Sequence, residues 1–328
     1  KIYTGDFDDS EYFQQHVAYD ITATLDDSLH TLSAYERIVY TNNSPDTLNY
    51  IWFHLWPNAY KNNESAFAKQ RERFYSKSMI YAKEKERGYI DSLDFKVDGE
   101  DVTFEFHPEW NDVAKLNLSD PLFPGQNITI ETPFFLKIPK VYSRLGHSGK
   151  HYEMTQWFPK PAVYDHKGWH PMPYLDMGEF YSEFGSFNVI ITLPEEYRVM
   201  ATGDLIDGEK EYAWLDSLSV LGDSLHSLDE KEFKKTIKKM IKGETEEKSF
   251  FDKIKNLFFK EEKKEVEEKS TMKTLHFYQD KVHDFAWFAD PKWIVRKGTL
   301  FLSDSTRKVT LWSMYLPKNA EQWENSIE

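Results

Sequence analysis

Cysteine is absent from this sequence of 328 residues. Its absence excludes disulfide bonds, thiolate nucleophiles and zinc sites with cysteine ligands. No apolar run approaches the roughly 18 residues that a membrane-spanning helix needs, so we expect no membrane span. The first residue is Lys1 and the opening KIYTGDFDDS is polar, which favours a chain whose export signal has been removed. We therefore expect a secreted, periplasmic or cell-envelope protein, with a trimmed cytosolic protein as the alternative.

Signature motifs of common enzymes are missing as well. There is no H-E-x-x-H, in which two histidines one helical turn apart bind zinc and the glutamate activates water. His166 and His170 have that spacing, but Gly168 and Pro171 argue against a helix, so hydrogen-bonded loop histidines are favoured over a metal pair. No two glycines lie two positions apart, and LGHSGKH lacks the upstream glycine of a phosphate loop. We expect this chain to hold no metal, no cofactor and no catalytic residue.

The charge balance is acidic, with 41 Lys and Arg against 55 Asp and Glu and a net charge of −14. A surface of this sign repels phosphate backbones, so a nucleic-acid partner is not expected. Aromatic residues make up 16% of the chain, a share that suits half-buried pleated surfaces. Together these features favour a globular β-protein.

Alternating apolar and polar residues predict strands over most of the chain. In the first half, HVAYDITATLDD (16–27) and LHTLSAYERIVYTNN (29–43) alternate, and the polar residues between them predict a hairpin. Further strands are predicted at 48–58, 89–97, 101–108, 127–138, 186–194, 197–203, 272–280, 282–290, 293–304 and 307–317. Residues 59–87 are polar and charged, and are interpreted as a helix or an ordered loop.

A charged segment interrupts this pattern at about 208–270. Phe233, Ile237, Met240 and Ile241 recur at helical spacing before Gly243, and a second helical pattern runs from 250 to 258. The sequence therefore predicts a two-helix insertion in a β scaffold. Because its charges are balanced, a solvated surface is favoured over a membrane contact. Residues 320–328 begin a further helical pattern, from which we expect the native chain to continue.

Three stretches resemble the N-terminal β-domain of the aminopeptidase N-like (gluzincin) zinc metallopeptidases of the bacterial type. They are LSAYERIVYTNNSPDTLNYIWFHLWPNAY (32–60), HYEMTQWFPKPAVYDHKGWHPMPYLDMGEFYSEFGSFNVIITLPEEYRVMATGDL (151–205) and VHDFAWFADPKW (282–293). Their order and spacing agree with the family along nearly the whole chain, apart from the charged insertion.

The resemblance implies a mainly β fold: a saddle-shaped, multi-stranded antiparallel, sandwich-like domain occupying 1–328, with a catalytic zinc domain expected after residue 328. Zinc is then expected in that missing domain, which would be this chain's own C-terminal partner. By the same resemblance, the parent protein is expected to be an aminopeptidase, a hydrolase acting on peptides, and this chain alone is expected to be inactive.

The resemblance also suggests substrate-binding residues. In the family, a Gln or Glu of the T-Q region helps to hold the free α-amine of the peptide substrate, and the matching residue here is Gln156. A side-chain amide oxygen accepts hydrogen bonds from an ammonium group, so this role is chemically sound. Glu153 is the second candidate for the amine contact, and Tyr164 and Asp165 are expected near the rim of the cleft.

A different class of function stays open. The abundance of Trp, Tyr and Phe is also compatible with a non-enzymatic β binding module for a glycan or a protein partner. Such a module would show an aromatic groove on its surface, whereas core-filling aromatic residues are the commoner case.

Overall fold

The protein is described by a computed structural model that covers residues 12–242, 271–303, 307–323 and 325–327. It is mainly β. The strands are β1 (His16–Asp26), β2 (Thr31–Thr41), β3 (Leu48–His54), β4 (Tyr89–Asp91), β5 (Lys96–Val97), β6 (Glu100–Asp101), β7 (Phe104–Phe106), β8 (Val113–Leu122), β9 (Asn127–Lys137), β10 (Leu145–Ser148), β11 (His151–Met154), β12 (Lys160–Pro161), β13 (Tyr164–Asp165), β14 (Gly168–Trp169), β15 (Gly185–Pro194), β16 (Arg198–Ala201), β17 (Asp204–Ile206), β18 (Met272–Val282), β19 (Trp287–Asp290), β20 (Ile294–Phe301) and β21 (Lys308–Tyr315). The helices are α1 (Ala66–Arg73), α2 (Glu209–His226) and α3 (Glu230–Lys242).

The chain divides into two compact units. The first comprises Lys1–Glu195, Val199–Ile206 and Met272–Ala289, and the second comprises Glu196–Arg198, Asp207–Thr271 and Asp290–Glu328. None of the helices among the described residues is both long and apolar enough to cross a membrane.

The largest sheet of the first unit has nine strands in the order β17-β18-β15-β1-β2-β9-β5-β6, with β4 also paired to β9. Strand β1 lies near its middle, antiparallel to β2 and parallel to β15. Every second residue of β1, from Val17 to Leu25, is buried, as the period-two pattern of the sequence predicts. This sheet therefore presents one apolar face to the core.

A four-stranded sheet in the order β12-β3-β8-β7 lies in the same unit, and another has the order β10-β11-β19-β16. Aromatic rings fill the core of the unit. Tyr19 of the large sheet stacks on Phe187 and meets the edge of Phe158, and Trp157 meets Trp287 edge-on. Such offset and edge-on arrangements are the favoured geometries of aromatic pairs. The architecture confirms the prediction of a mainly β, sandwich-like fold with a helical insertion.

The second unit is built on the hairpin β20–β21. Helix α2 packs on this hairpin through Gly222, where an added Cβ would lie 2.1 Å from the carbonyl oxygen of Val295. Helix α3 buries Phe233 and Ile237 in a cluster that includes Tyr315. The predicted helix around these residues is confirmed, whereas the predicted helical pattern at 250–258 lies outside the described residues.

One local prediction was wrong. No helix forms in the described part of 320–328, where residues 320–322 and 325–327 are turns. The physical reason is that this segment folds back on the hairpin: Trp323 stacks on Tyr315, and Oγ of Ser326 donates to Oγ of Ser313 at 2.6 Å. Helix α2 lies inside the predicted helical insertion at about 208–270, although no helical pattern was identified at its own residues, and strand β8 was not predicted.

Candidate functional site

Gln156 follows β11 at a tight turn. Its backbone φ is 55°, in the left-handed region that residues other than glycine seldom adopt. Trp157 and Phe158 come next and are both buried, and the indole nitrogen of Trp157 donates to the carbonyl oxygen of Phe285 at 3.1 Å. These two rings anchor the turn, and so they fix Gln156 beside the segment that contains Phe285.

Both ends of the Gln156 side-chain amide are hydrogen-bonded. Nε2 donates to Oδ2 of Asp284 at 2.5 Å, and Oε1 accepts from Nζ of Lys160 at 3.1 Å. Lys160 also donates to Oδ1 of Asp284 at 2.7 Å, which closes a ring of three side chains. Because a carboxylate only accepts and an ammonium only donates, the two partners together set the orientation of the amide. Gln156 is 6% exposed, so little of it reaches solvent.

Lys160 is a buried cation. Burial lowers the pKa of its ammonium group, and the opposing pull of Asp284 raises it, with burial the larger effect. The rings of Trp56 and Phe158 lie 5.4 Å and 4.9 Å from Nζ, within the range of cation–π attraction. The ion pair with Asp284 and the two rings replace the water that this ammonium group has lost.

Glu36 of β2 is a buried carboxyl close enough to Lys160 to feel its charge. Burial raises the pKa of Glu36 well above its usual range, and the charge of Lys160 opposes that rise. Neither carboxyl oxygen has a hydrogen-bond partner among the residues that the structure describes. We call Glu36, Gln156, Lys160 and Asp284 the buried polar cluster.

Glu153 lies on β11, between Tyr152 and Met154, which are both buried. Because neighbouring strand residues point to opposite faces, the half-buried Glu153 points away from that core. Its Oε1 lies 3.4 Å from Nε2 of His151. Glu153, the second candidate for the amine contact, therefore lies beside His151, on the face of β11 opposite to Tyr152 and Met154.

Tyr164 and Asp165 form β13 of a small hairpin with β14. The Tyr164 hydroxyl donates to Oδ2 of Asp46 at 2.8 Å, and burial together with this bond raises the pKa of Tyr164 to about 12. Asp165 lies 2.7 Å from Nε2 of His170. Burial raises the pKa of Asp165, but the bonds from His170 and the Lys167 backbone outweigh it and lower the pKa overall.

The four candidate residues therefore occupy three settings. Gln156 bonds with Lys160 and Asp284, Glu153 contacts His151, and the hairpin residues bond elsewhere. Of the four, only Tyr164 and Asp165 lie together, and they do so because they are consecutive in the chain.

Sequence reasoning missed four titratable residues: Glu36, Lys160, Asp284 and Glu183. Glu183 accepts a bond from the Tyr164 backbone nitrogen at 3.4 Å, and burial raises its pKa to about 7. One signal was present in the sequence for Glu36, because a period of two through Leu32 and Ile38 places it on the inward face. For the others, only the long-range contacts reveal the burial.

Among the described residues, no group of three or more His, Asp or Glu side chains is arranged to hold a metal ion. His170 instead bonds Asp165, and His166 is exposed in the turn of the hairpin. The described His, Asp and Glu side chains therefore do not fit a zinc ion.

Comparison with known proteins gives matches among solved structures only. No family model matches the sequence, and no curated protein does. The chain is similar to the M1 zinc metallopeptidase from Deinococcus radiodurans, with 11% sequence identity and a TM-score of 0.42. A mutant of the enzyme bound to a Tyr-Ser-Ala substrate gives 12% identity and a TM-score of 0.43.

Both matches cover 93% of this chain and 48% of the matched chain. The chain thus spans about half the length of the solved structures it matches.

Proposed function

We propose that this chain is the non-catalytic N-terminal β-domain of a zinc aminopeptidase-like enzyme, where it supports the catalytic domain and helps to anchor the free amino end of a peptide. One observation carries the proposal. Each of the three stretches that resemble the family contributes to the buried polar cluster: Glu36 from the first, Gln156 and Lys160 from the second, and Asp284 from the third. The residues that resemble the family are thus also neighbours in space.

The amide oxygen of Gln156 is the proposed contact for the substrate amine. It already accepts from one ammonium group, that of Lys160, and a carbonyl oxygen has a second lone pair available. Asp284 accepts a hydrogen bond from Nε2, which keeps the amide from rotating and leaves Oε1 directed toward Lys160. In this role Gln156 is a binding residue, and Asp284 and Lys160 position it.

Peptide hydrolysis itself is assigned to a zinc domain outside this chain. A zinc-bound water activated by a glutamate would cut the first peptide bond there, while this chain alone neither cleaves peptides nor holds zinc tightly. We place the whole protein in the secreted, periplasmic or cell-envelope space.

The test begins with the gene product that contains this chain. We expect an H-E-x-x-H motif and a downstream glutamate within about one further domain length after Glu328. The purified full-length protein should release 4-nitroaniline from aminoacyl-4-nitroanilides, and a chelator should stop it. A gene product without metal ligands, or cleavage by residues 1–328 alone, would contradict the proposal.

The role of Gln156 is tested in the same full-length protein. Gln156→Met keeps the length of the side chain but removes the accepting oxygen, so KM should rise roughly tenfold, as expected when a hydrogen bond to a charged group is lost. Glu153→Gln is the matched variant for the second candidate and should leave KM unchanged. The reverse result would move the amine contact to Glu153. Thermal unfolding of each variant separates a lost contact from a lost fold.

A further inference from the structure

Six aromatic rings of the first unit form a continuous row on the surface. Each is exposed or half-buried, and they follow one another in the order Trp110, His107, Trp52, Tyr50, Trp169 and Tyr164. The successive distances between ring centroids are 4.2, 5.4, 6.3, 6.2 and 5.0 Å. We call this row the aromatic strip.

The strip is not part of the core. In β3, Ile51 and Phe53 are buried, and the alternating residues Tyr50 and Trp52 therefore point to the opposite face of the sheet. Tyr50 is 36% exposed. Core packing thus accounts for the inward residues of this strand, whereas the outward rings pack on one another at the surface.

Charged and amide side chains border the strip. Nζ of Lys115 lies 5.6 Å above the Tyr50 ring and 2.6 Å from Oε1 of Glu105. At its Trp110 end, the strip enters a groove of about 770 Å³. The polar side chains of that groove are Lys61, Asn62, Glu64, Lys69, Glu109 and Asn111. Two lysines and two glutamates balance in charge, which suits an uncharged ligand.

We propose that the aromatic strip and this groove bind a neutral oligosaccharide in an extended conformation. Flat aromatic faces pack against the C–H faces of pyranose rings, while amide and charged groups beside them bond to sugar hydroxyls. A continuous row of six rings, with neighbouring centroids 4.2–6.3 Å apart, fits an extended ligand better than a single small molecule. The proposal concerns a surface separate from Gln156, and it stands whether or not the proposed peptidase role is correct.

Two other partners fit less well. A nucleic acid also stacks on aromatic rings, but it needs a positively charged groove, and this chain has a net charge of −14. A protein partner usually meets an interface core depleted in charged residues. Here Lys115 and Glu105 lie beside the strip, two lysines and two glutamates line the groove, and neither the strip nor the groove lining contains Leu, Ile, Val or Met.

The test uses the 328-residue protein with cellohexaose, chitohexaose and maltohexaose as probes, followed by titration calorimetry and tryptophan fluorescence. We expect at least one of the three to bind with a dissociation constant below about 1 mM. Tyr50→Ala and Trp110→Ala should each weaken that binding roughly tenfold, as truncation of an aromatic anchor does. Trp110→Phe, which keeps a ring, should retain most of it.

Tyr81→Ala is the matched control, since Tyr81 is 73% exposed and lies outside the strip. It should leave the affinity unchanged. Far-ultraviolet circular dichroism shows whether each variant is folded, and Tyr50→Ala on the exposed face is the variant least able to disturb the core. Binding of no hexasaccharide, or binding that both strip variants leave intact, would overturn the proposal. So would strip-dependent binding of decaproline in the absence of any sugar binding, because it would assign the surface to a peptide.

Discussion

The ammonium nitrogen of Lys160 lies 2.7 Å from Oδ1 of Asp284, although 124 positions separate the two residues in the chain. The Lys160 side chain is almost entirely buried, and Asp284 is mostly so. The pair therefore connects β12 with the stretch before β19, inside the first unit. Desolvating a buried ion pair of this kind costs free energy, and removing only one of its partners is strongly destabilising, because the other charge stays buried without compensation.

Replacing Lys160 alone should destabilise the protein. Lys160→Met leaves Asp284 and the Gln156 oxygen without their common donor, and we expect the free energy of unfolding to fall by about 3–5 kcal/mol, the range for a buried charge that loses its partner. Urea unfolding at constant pH, followed by tryptophan fluorescence, measures the change.

The control is Lys96→Met, which removes an exposed ion pair with Asp101 and should have little effect. The double variant Lys160→Met, Asp284→Asn should recover part of the lost stability, because it leaves no unpaired buried charge. If Lys160→Met costs no more than Lys96→Met, the ion pair does not contribute to the stability of the fold.

Glu36→Gln should change how stability depends on pH. The folded state raises the pKa of Glu36, so as pH rises above its ordinary value of 4.5 the unfolded chain loses a proton that the folded chain keeps. The free energy of unfolding therefore falls by up to about 1.4 kcal/mol for each pH unit. Glutamine has no titrating proton, so the substitution removes this dependence. Relative to the unchanged protein, the variant should gain stability from pH 5 to pH 8.

Denaturant midpoints at pH 4, 6 and 8 test this expectation. The two proteins should differ least at pH 4, where Glu36 is protonated in both states. Glu109→Gln serves as the control because Glu109 is exposed, and it should give parallel curves. A stability difference for Glu36→Gln that stays constant across the three pH values would show that folding does not raise the pKa of Glu36.

Gly185→Ala should destabilise the centre of the large sheet. An added Cβ at this position would lie 2.0 Å from the carbonyl oxygen of Val17 in the neighbouring strand, and backbone cannot give way as a side chain does. We expect a loss of about 3 kcal/mol, at the upper end for overpacking. Thermal unfolding compares it with Gly178→Ala, where only the Leu175 side chain lies near, at 3.6 Å. Equal effects of the two substitutions would mean that β15 can shift away from β1.

The sequence predicted the strands well where one face is buried and the other solvated. Strands β1 and β2 lie within two residues of their predicted ends, because their alternation reflects a single core face. Strand β8, VAKLNLSDPL, was missed because Asn, Ser, Asp and Pro weaken its alternation. It forms through its pairing with β3 and β7, which a local pattern does not record.

The candidate site was harder still to predict, because its contacts join residues that are far apart in the sequence. Gln156 was selected by resemblance, but nothing near it in the sequence indicates that its amide is held by Asp284. Lys160 lies between two prolines, in a stretch without periodicity, so its burial was not predictable from a pattern. The aromatic strip was hidden for a different reason: the part of β3 that reads YIWFH consists of large side chains, so inward and outward rings look alike in the sequence.

The parallel pairing of β1 with β15 has a consequence for how the chain is made. Val17 pairs with Gly185, so on the ribosome β1 emerges long before its partner. At ordinary rates of synthesis the delay is roughly ten seconds or more. During that time one side of the β1–β2 hairpin offers unpaired amide and carbonyl groups, which can join a wrong strand or another nascent chain. Correct assembly of this protein therefore depends on keeping that edge unoccupied until residues 185–194 arrive.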